Sequence, residues 1–275
     1  MTVADSLDGA SRSLADAVGA GALKFASVIW YLTAVGGQWL FALYIFGSYG
    51  AAPVVGHFAQ WHKRLHEGDL WGNIAFGVHM LLALVITVGG PIQLIPQIRN
   101  YAPIFHHWNG RVYLLTALVI SMDGLYMVWE RGIPGGLPNQ VAFTLNAALI
   151  VFFAIMAVHN AVARDIDTHR RWALRLFLAV SGVWFFRVGL MDWIIVNHGP
   201  LWSTKSLDGP FDYFLAFANY LLPLAVLELY LRTQDRAGPA GKFAMATALL
   251  GLTGLMAVGI FGAAAFIWLP HLTPS

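Results

Sequence analysis

Six polar side chains interrupt six different apolar segments of this sequence, and they are its first candidates for chemistry. They comprise a carboxylate, a guanidinium, an imidazole and three amides: Asp123, Arg187, His79, Gln38, Asn146 and Asn219. Polar and ionisable groups are costly in hydrocarbon, so within a membrane they normally face the bundle interior and mark a functional site. Their types suit the binding of a small ligand or the relay of a proton.

The positions of these residues along their segments predict one shared depth. At about 1.5 Å of rise per residue, Asp123 and Arg187 each lie about 20 Å from the predicted cytoplasmic side, about 10 Å below the outer face. The sequence predicts that these two residues form an ion pair. His79 could join the pair by a hydrogen bond, or ligate a metal or haem iron. The alternative is a structural polar network that holds the helices together.

A second set of candidates lies at the predicted cytoplasmic ends of the segments. It contains His107, His159, His169, Arg111 and Arg175. Two of the three histidines could ligate a b-type haem, with either arginine holding a propionate. Anchoring of the spans by positive charge, with solvated histidines in short loops, is the alternative.

A third candidate is a metal site in the first outer loop, formed by His57, His62 and His66. His62 and His66 are four residues apart, so on a helix they would share one face and could bind Zn or Cu. An amphipathic segment at the membrane interface, with Trp61 and Trp71 as anchors, is the alternative.

The composition indicates that the elements positioning these residues are membrane-spanning helices. The chain has 275 residues, of which 58% are hydrophobic and 11% charged, whereas a soluble domain carries about 25% charged residues. The absence of cysteine excludes disulfides, thiolate metal sites and iron–sulfur clusters. A net charge of +2 does not indicate a nucleic-acid partner.

Seven stretches have the length of about 20 apolar residues that a spanning helix requires. They cover residues 25–46, 72–95, 111–129, 141–163, 172–196, 213–231 and 243–269. The sequence therefore predicts an all-α membrane protein, a bundle of seven transmembrane helices. Residues 1–23 are predicted to be a cytoplasmic N-terminal tail or short surface helix, and residues 24–275 a single transmembrane domain. Pro91 and Pro223 are predicted to kink the second and sixth spans, or to end their regular part.

The distribution of Lys and Arg predicts the orientation. Ten of these residues fall on one side and four on the other: Lys24, Arg99, Arg111, Arg164, Arg170, Arg171, Arg175, Arg232, Arg236 and Lys242, against Lys63, Arg64, Arg131 and Lys205. The bias predicts a cytoplasmic N-terminus and a C-terminus outside.

Four elements together carry a family resemblance: GGPIQLIP, HHWNGRVYLL, DTHRRWALRLF and Arg187. They resemble a bacterial family of predicted multi-pass membrane proteins, domain of unknown function 2306, over roughly residues 70 to 200. The residues that match its motif positions are His107, Gly110, Arg111, His169, Arg171, Trp172, Arg175 and Arg187. The resemblance implies a helical fold in the bacterial inner membrane and assigns no reaction. The family would have a small residue at the position of Asp123.

These features leave three hypotheses for function. The first is a b-type haem-binding or quinone-linked electron-transfer protein. If it is an enzyme, this hypothesis makes it a membrane oxidoreductase, and its partner would be a membrane electron-transfer protein. The second is a transporter, or a proton- or ligand-binding protein, that uses Asp123, Arg187 and His79. The third is a non-catalytic subunit or assembly factor. A rhodopsin-type protein is excluded because the seventh span contains no lysine for a Schiff base.

Overall fold

The computed structural model describes residues 3–51 and 65–272, and every regular element within those ranges is a helix. The nine α-helices in these two ranges are α1 (Val3–Ile45), α2 (Leu70–Gln93), α3 (Pro96–Tyr101), α4 (Pro103–Glu130), α5 (Gly136–Val162), α6 (Ile166–Val180), α7 (Gly182–Val196), α8 (Pro210–Arg236) and α9 (Pro239–Ala263). A π-helical turn, Phe46–Ala51, extends α1, and a π-helical turn, Ala264–Trp268, followed by a 3-10 turn, Leu269–His271, extends α9.

The helices begin where the sequence supplies start signals. Helices α3, α4, α8 and α9 each have proline in their first turn, where the missing N–H costs no helical hydrogen bond. Asp69 caps α2 by accepting from the Gly72 N–H at 2.9 Å. Asp165 caps α6 in the same way, and hydrogen bonds from the Thr168 side chain and backbone N–H lower the pKa of this carboxyl.

Within the described residues, six helices are individually long and apolar enough to cross a membrane, namely α1, α2, α4, α5, α8 and α9. Helices α6 and α7 reach that length only together, and they meet at a bend of 55°. The outer surface of the bundle exposes large apolar side chains such as Leu81, Leu115 and Phe214, as a surface in contact with lipid requires. The chain is therefore a multi-pass helical membrane protein.

Contacts with α8 favour a single crossing formed by α6 and α7 together. At one end of α8, Asp235 pairs with Arg171 of α6 at 2.8 Å. At the other end, Phe211 stacks on Trp193 of α7 with ring centroids 4.3 Å apart. The bent pair thus runs antiparallel to α8 over nearly its whole length, and counting it as one crossing gives the seven that the sequence predicts.

The first and last spans run parallel to each other. Gly19 of α1 lies against the backbone of Pro239, at the start of α9. Farther along, the Phe41 ring lies 5.4 Å from that of Trp268, just beyond the end of α9. Parallel first and last spans require an odd number of crossings, so the two ends of the described chain lie on opposite sides of the bundle. Which of those sides is cytoplasmic stays a prediction.

Helix α1 extends through the segment predicted as a tail. It has 43 residues, a length of about 65 Å, roughly twice the thickness of the hydrocarbon core. The helix continues through the predicted boundary at residue 23, and the buried Leu23 packs with Met245 and Ala246 of α9. Pro91 and Pro223 both lie inside helices, α2 and α8.

Candidate functional site

The bend between α6 and α7 lies among polar side chains from three surrounding helices. Ser181 is the residue between the two helices, and its hydroxyl donates to the Phe177 carbonyl at 2.8 Å. Gln38 of α1 donates its amide N–H to the Ser181 Oγ at 3.0 Å. Both side chains are buried, so the interrupted helix has side-chain partners inside the membrane.

Two further amides, Asn146 of α5 and Asn219 of α8, meet at the same bend. The Asn146 Nδ2 donates to the Ala179 carbonyl at 3.2 Å, near the end of α6. The Asn219 Nδ2 donates within its own helix, to Leu215 and Ala216. Among the described residues, no donor hydrogen bonds to the Oδ1 atom of either asparagine, although both atoms are buried.

Both amides lie beside Gly182. A Cβ atom at this position would lie 2.7 Å from Asn219 Oδ1 and 3.0 Å from Asn146 Nδ2. Only glycine leaves room for that approach. The structure therefore brings together three of the six predicted polar residues, Gln38, Asn146 and Asn219, around the bend; we call Gln38, Asn146, Ser181, Gly182 and Asn219 the central amide cluster.

The two ionisable residues His79 and Asp123 form a separate pair between α2 and α4. The His79 Nδ1 lies 2.9 Å from Asp123 Oδ2, and the side chains are 23% and 12% exposed. Gly124 lies beside the imidazole, and a Cβ there would be in ordinary van der Waals contact with His79 Cε1, at 3.5 Å. The pair is therefore partly accessible rather than sealed in the bundle.

Asp123 opens onto a groove between α2 and α4. The groove has a volume of about 480 Å³ and is open to the surroundings of the bundle; its lining consists of Trp71, Ile74, Ala75, Val78, Asp123 and Tyr126. A lining of aliphatic and aromatic side chains with one carboxylate suits a mainly apolar molecule that carries one polar group. We call this feature the α2–α4 groove.

The predicted partner of Asp123 is corrected by the structure. Asp123 pairs with His79, whereas the Arg187 guanidinium donates to the Val183 carbonyl at 3.1 Å and lies 4.9 Å from the centroid of the Phe41 ring. Depth along a helix predicts the layer of a residue, but the side of the helix on which it lies depends on packing. The six residues thus divide into the central amide cluster, the His79–Asp123 pair and Arg187.

Two arginines of the cytoplasmic set tie α6 to α8. Arg175 makes a two-bond ion pair with Glu228, at 2.6 and 3.0 Å, and its guanidinium covers the Trp172 ring at 4.5 Å. One turn earlier, Arg171 makes a two-bond pair with Asp235. The DTHRRWALRLF element therefore has a structural role in the contact between the two helices.

The three histidines predicted to ligate haem do not share a buried pocket in the described structure. His107 and His159 are exposed, and His169 is half-buried with its Nδ1 donating to the Ala157 carbonyl at 2.8 Å. Arg111 lies over the Trp108 ring at 5.1 Å. Haem binding stays a prediction.

Sequence reasoning missed the role of two amides that join α2 to α4. Asn109 donates to the Gly89 carbonyl at 3.0 Å and to the Gln93 Oε1 at 2.8 Å. Gln93 in turn donates to the His106 carbonyl at 3.2 Å. A Cβ on Gly110 would lie 2.7 Å from Gln93 Nε2. These contacts explain why the GGPIQ and HHWNG elements occur together.

The predicted metal site falls mainly outside the described residues, since His57 and His62 do. His66 is exposed, and its backbone hydrogen bonds with the Asn73 side chain. Within residues 3–51 and 65–272, no group of three or more His, Cys, Asp or Glu side chains is placed to hold a metal ion.

Comparison with known proteins supports the family resemblance. Residues 76–204 match the model of the family described as Predicted membrane protein (DUF2306). The matched region contains both partners of the His79–Asp123 pair and the bend at Ser181. No curated protein and no solved structure gave a match.

Proposed function

We propose that this protein binds a small lipid-soluble molecule with a hydroxyl or carbonyl head group in the α2–α4 groove and exchanges a proton with it through His79 and Asp123. The observation that carries the proposal is a carboxylate, Asp123, that lines an apolar groove between two spanning helices and pairs with the imidazole of His79. Ionisable groups at such positions normally serve ligand binding or proton transfer. The expected location is the bacterial inner membrane.

The chemistry of the pair supports a head group that donates a hydrogen bond. The bond between His79 Nδ1 and Asp123 Oδ2 leaves His79 Nε2 and Asp123 Oδ1 outside it. When the neutral imidazole donates from Nδ1 to the carboxylate, Nε2 and Oδ1 are both acceptors. A phenolic or quinol hydroxyl is complementary to that arrangement, because it can donate to the Asp123 carboxylate in the groove.

The contact between the two residues supports proton exchange. A proton that the ligand releases to Asp123 would lie next to the imidazole that is hydrogen bonded to this carboxylate. Lateral access from the membrane also favours a lipid-soluble ligand over a water-soluble one. Quinones and quinols are the members of this class that the earlier hypothesis of quinone-linked function includes.

The haem hypothesis has one supporting observation, at His169. A ligating histidine normally donates its other ring N–H to a carbonyl or carboxylate, and His169 Nδ1 makes that bond to Ala157. The second ligand would have to be His107 or His159. A haem absorbance band in the purified protein that disappears in the His169→Ala variant supports this second candidate, and a colourless protein refutes it.

Ligand binding at Asp123 tests the main proposal. Wild type, Asp123→Asn, Asp123→Leu and the control Met122→Leu are reconstituted in nanodiscs and titrated with decylubiquinol. Met122 is a suitable control because it neighbours Asp123 but is 61% exposed and not part of the groove.

We expect Asp123→Leu to weaken decylubiquinol binding at least about tenfold, since a hydrogen bond to a charged group contributes about 1.5–3 kcal/mol. Asp123→Asn keeps an acceptor and should have an intermediate affinity, and Met122→Leu should bind like wild type. Equal binding by all four proteins, or no saturable binding by wild type, would contradict the proposal.

A further inference from the structure

We infer that the corner between α3 and α4 binds the phosphate group of an anionic phospholipid, and that an acyl chain of this lipid lies along the exposed face of α4. Arg99 and Arg111 are the residues assigned to the phosphate. The site is separate from the α2–α4 groove, because Arg111 lies about 18 Å along the axis of α4 from Asp123. It does not depend on the function proposed for that groove.

The first support is that these two arginines have no acidic partner. Among the described residues, neither Arg99 nor Arg111 makes an ion pair, whereas Arg131, Arg171 and Arg175 each pair with a carboxylate and tie two helices together. The first turn of α4 also contains no acidic residue. Arg99 and Arg111 are both exposed, so their charges are available to an anion outside the bundle.

The second support is that the fold gathers donors at one corner. Helix α3 packs against α4, and Arg99 lies close enough for its charge to act on His106. The His107 ring lies 6.1 Å from that of His106, and His107 is one turn before Arg111 on the same side of α4. The positive end of the α4 dipole lies at this corner as well. An anionic group is therefore the complementary ligand.

The third support is an apolar face that continues from the corner along α4. Arg111 lies over the Trp108 ring at 5.1 Å. Val112, Leu115 and Val119 follow at helical spacing on the same face, and all three are exposed. Val119 lies about 12 Å from Arg111 along the axis, within one leaflet of a hydrocarbon core about 30 Å thick. The face thus combines a phosphate-binding end with room for an acyl chain.

The setting of the corner favours a lipid over a free phosphate ion. Tyr101 and Trp108 are 87% and 61% exposed beside the two arginines, and such aromatic side chains normally lie at the level of the lipid head groups. Basic clusters on the predicted cytoplasmic side of spanning helices are a common setting for acidic lipid head groups. Phosphatidylglycerol is a suitable probe because it carries one phosphate and no amine.

Lipid-dependent stability of the full-length protein tests this inference. Delipidated protein in detergent is titrated with phosphatidylglycerol, phosphatidylcholine or inorganic phosphate at constant ionic strength, and the thermal midpoint is measured. A ligand that binds only the folded state raises this midpoint. We expect a saturable rise with phosphatidylglycerol, a smaller one with phosphatidylcholine and none with inorganic phosphate. Equal midpoints with the two lipids would overturn the inference. A rise of the same size with inorganic phosphate would also overturn it, because the ligand would then be a free ion.

Three variants locate the effect. Arg99→Gln and Arg111→Gln should each weaken phosphatidylglycerol binding about fivefold, the effect of removing one basic residue beside an anionic head group. Arg232→Gln should bind like wild type, since Arg232 is an exposed arginine of α8 at the same end of the bundle. An equal loss in Arg232→Gln would refute a localised site and leave only a general attraction to anionic lipid. If Arg111→Gln does not fold, native mass spectrometry of wild type and Arg99→Gln decides, and equal retention of phosphatidylglycerol overturns the inference.

Discussion

Gly182 is the residue on which the centre of the bundle depends most directly. It begins α7 immediately after the bend, and two asparagine amides approach to the space that a side chain would occupy. Gly251 of α9 has the opposite surroundings, because no atom of a neighbouring element lies within 4 Å of the position that a Cβ would take there. The two glycines therefore separate a packing requirement from the general effect of glycine on helix stability.

Replacing Gly182 by alanine should destabilise the protein by about 1–3 kcal/mol, the usual cost of forcing an extra methyl group into a packed interior. Gly251→Ala should be neutral or stabilising by up to about 1 kcal/mol, since alanine favours the helix. Thermal unfolding of both variants in the same detergent measures the difference. Equal stability of the two variants would mean that the amides do not approach Gly182 as described.

At the scale of single residues, the sequence predicted how deep each polar residue lies in the membrane but not which face of its helix it occupies. It placed Asp123 and His79 in one layer, and the structure joins them, yet it also assigned Arg187 to Asp123. The partner depends on which face of α2, α4 and α7 each residue occupies, and that is decided by packing between helices. The sequence does contain a signal for the bend. Ser181 and Gly182 are adjacent within a long apolar stretch, and Gly/Ser pairs are a known cause of sharp helix kinks.

Helices α6 and α8 are held together at one end by the two arginine–carboxylate pairs. The Arg171–Asp235 pair is 40% exposed on both sides, whereas the Arg175 side chain is only 17% exposed and also covers Trp172. Exposed pairs contribute about 0–1 kcal/mol, and hydrogen bonds to charged groups that are shielded from water contribute more. The contact between these helices should therefore depend mainly on Arg175.

Arg175→Gln should lower the free energy of unfolding by about 2 kcal/mol. Arg171→Gln should lower it less. Arg170→Gln, at an exposed neighbouring position, should have little effect. Glu228→Gln should lower stability less in an Arg175→Gln background than in wild type, because the two residues form one pair. Thermal unfolding of this set measures the coupling. Strict additivity of the Arg175 and Glu228 substitutions would show that the pair does not stabilise the helix contact.

The whole molecule is a seven-span bundle only if the bent pair crosses the membrane. The alternative is a re-entrant segment that returns to its own side, which would place the α5–α6 and α7–α8 loops on the same side. The contacts of α6 and α7 along α8 favour a crossing. The chain contains no cysteine, so a single introduced cysteine reports the position of a loop without background.

Single cysteines that replace Arg164 and Lys205, in the two loops that flank the bent pair, should react with a labelling reagent from opposite sides of the membrane. With the predicted orientation, a membrane-impermeant maleimide labels Lys205→Cys in intact cells and Arg164→Cys only after permeabilisation. Labelling of both from one side would reduce the number of crossings to six.

Hydropathy made the spans predictable because about 20 apolar residues must bury their backbone within the bilayer. It could not predict that α1 continues as a helix on either side of the predicted boundary at residue 23, since Leu23 is positioned by its contact with Met245 and Ala246 of α9. Nor could it show that the GGPIQLIP, HHWNGRVYLL and DTHRRWALRLF elements serve the α2–α4 and α6–α8 contacts. Those roles depend on pairs of residues that are far apart in the sequence.

Proton exchange at Asp123 is the central claim, and infrared difference spectroscopy measures it most directly. Spectra are recorded for protein in nanodiscs with and without decylubiquinol, for wild type and Asp123→Asn. The account predicts a change in the carboxylic-acid C=O band on ligand binding in wild type and its loss in Asp123→Asn. A wild-type spectrum without that change, at a concentration that saturates binding, would contradict the account.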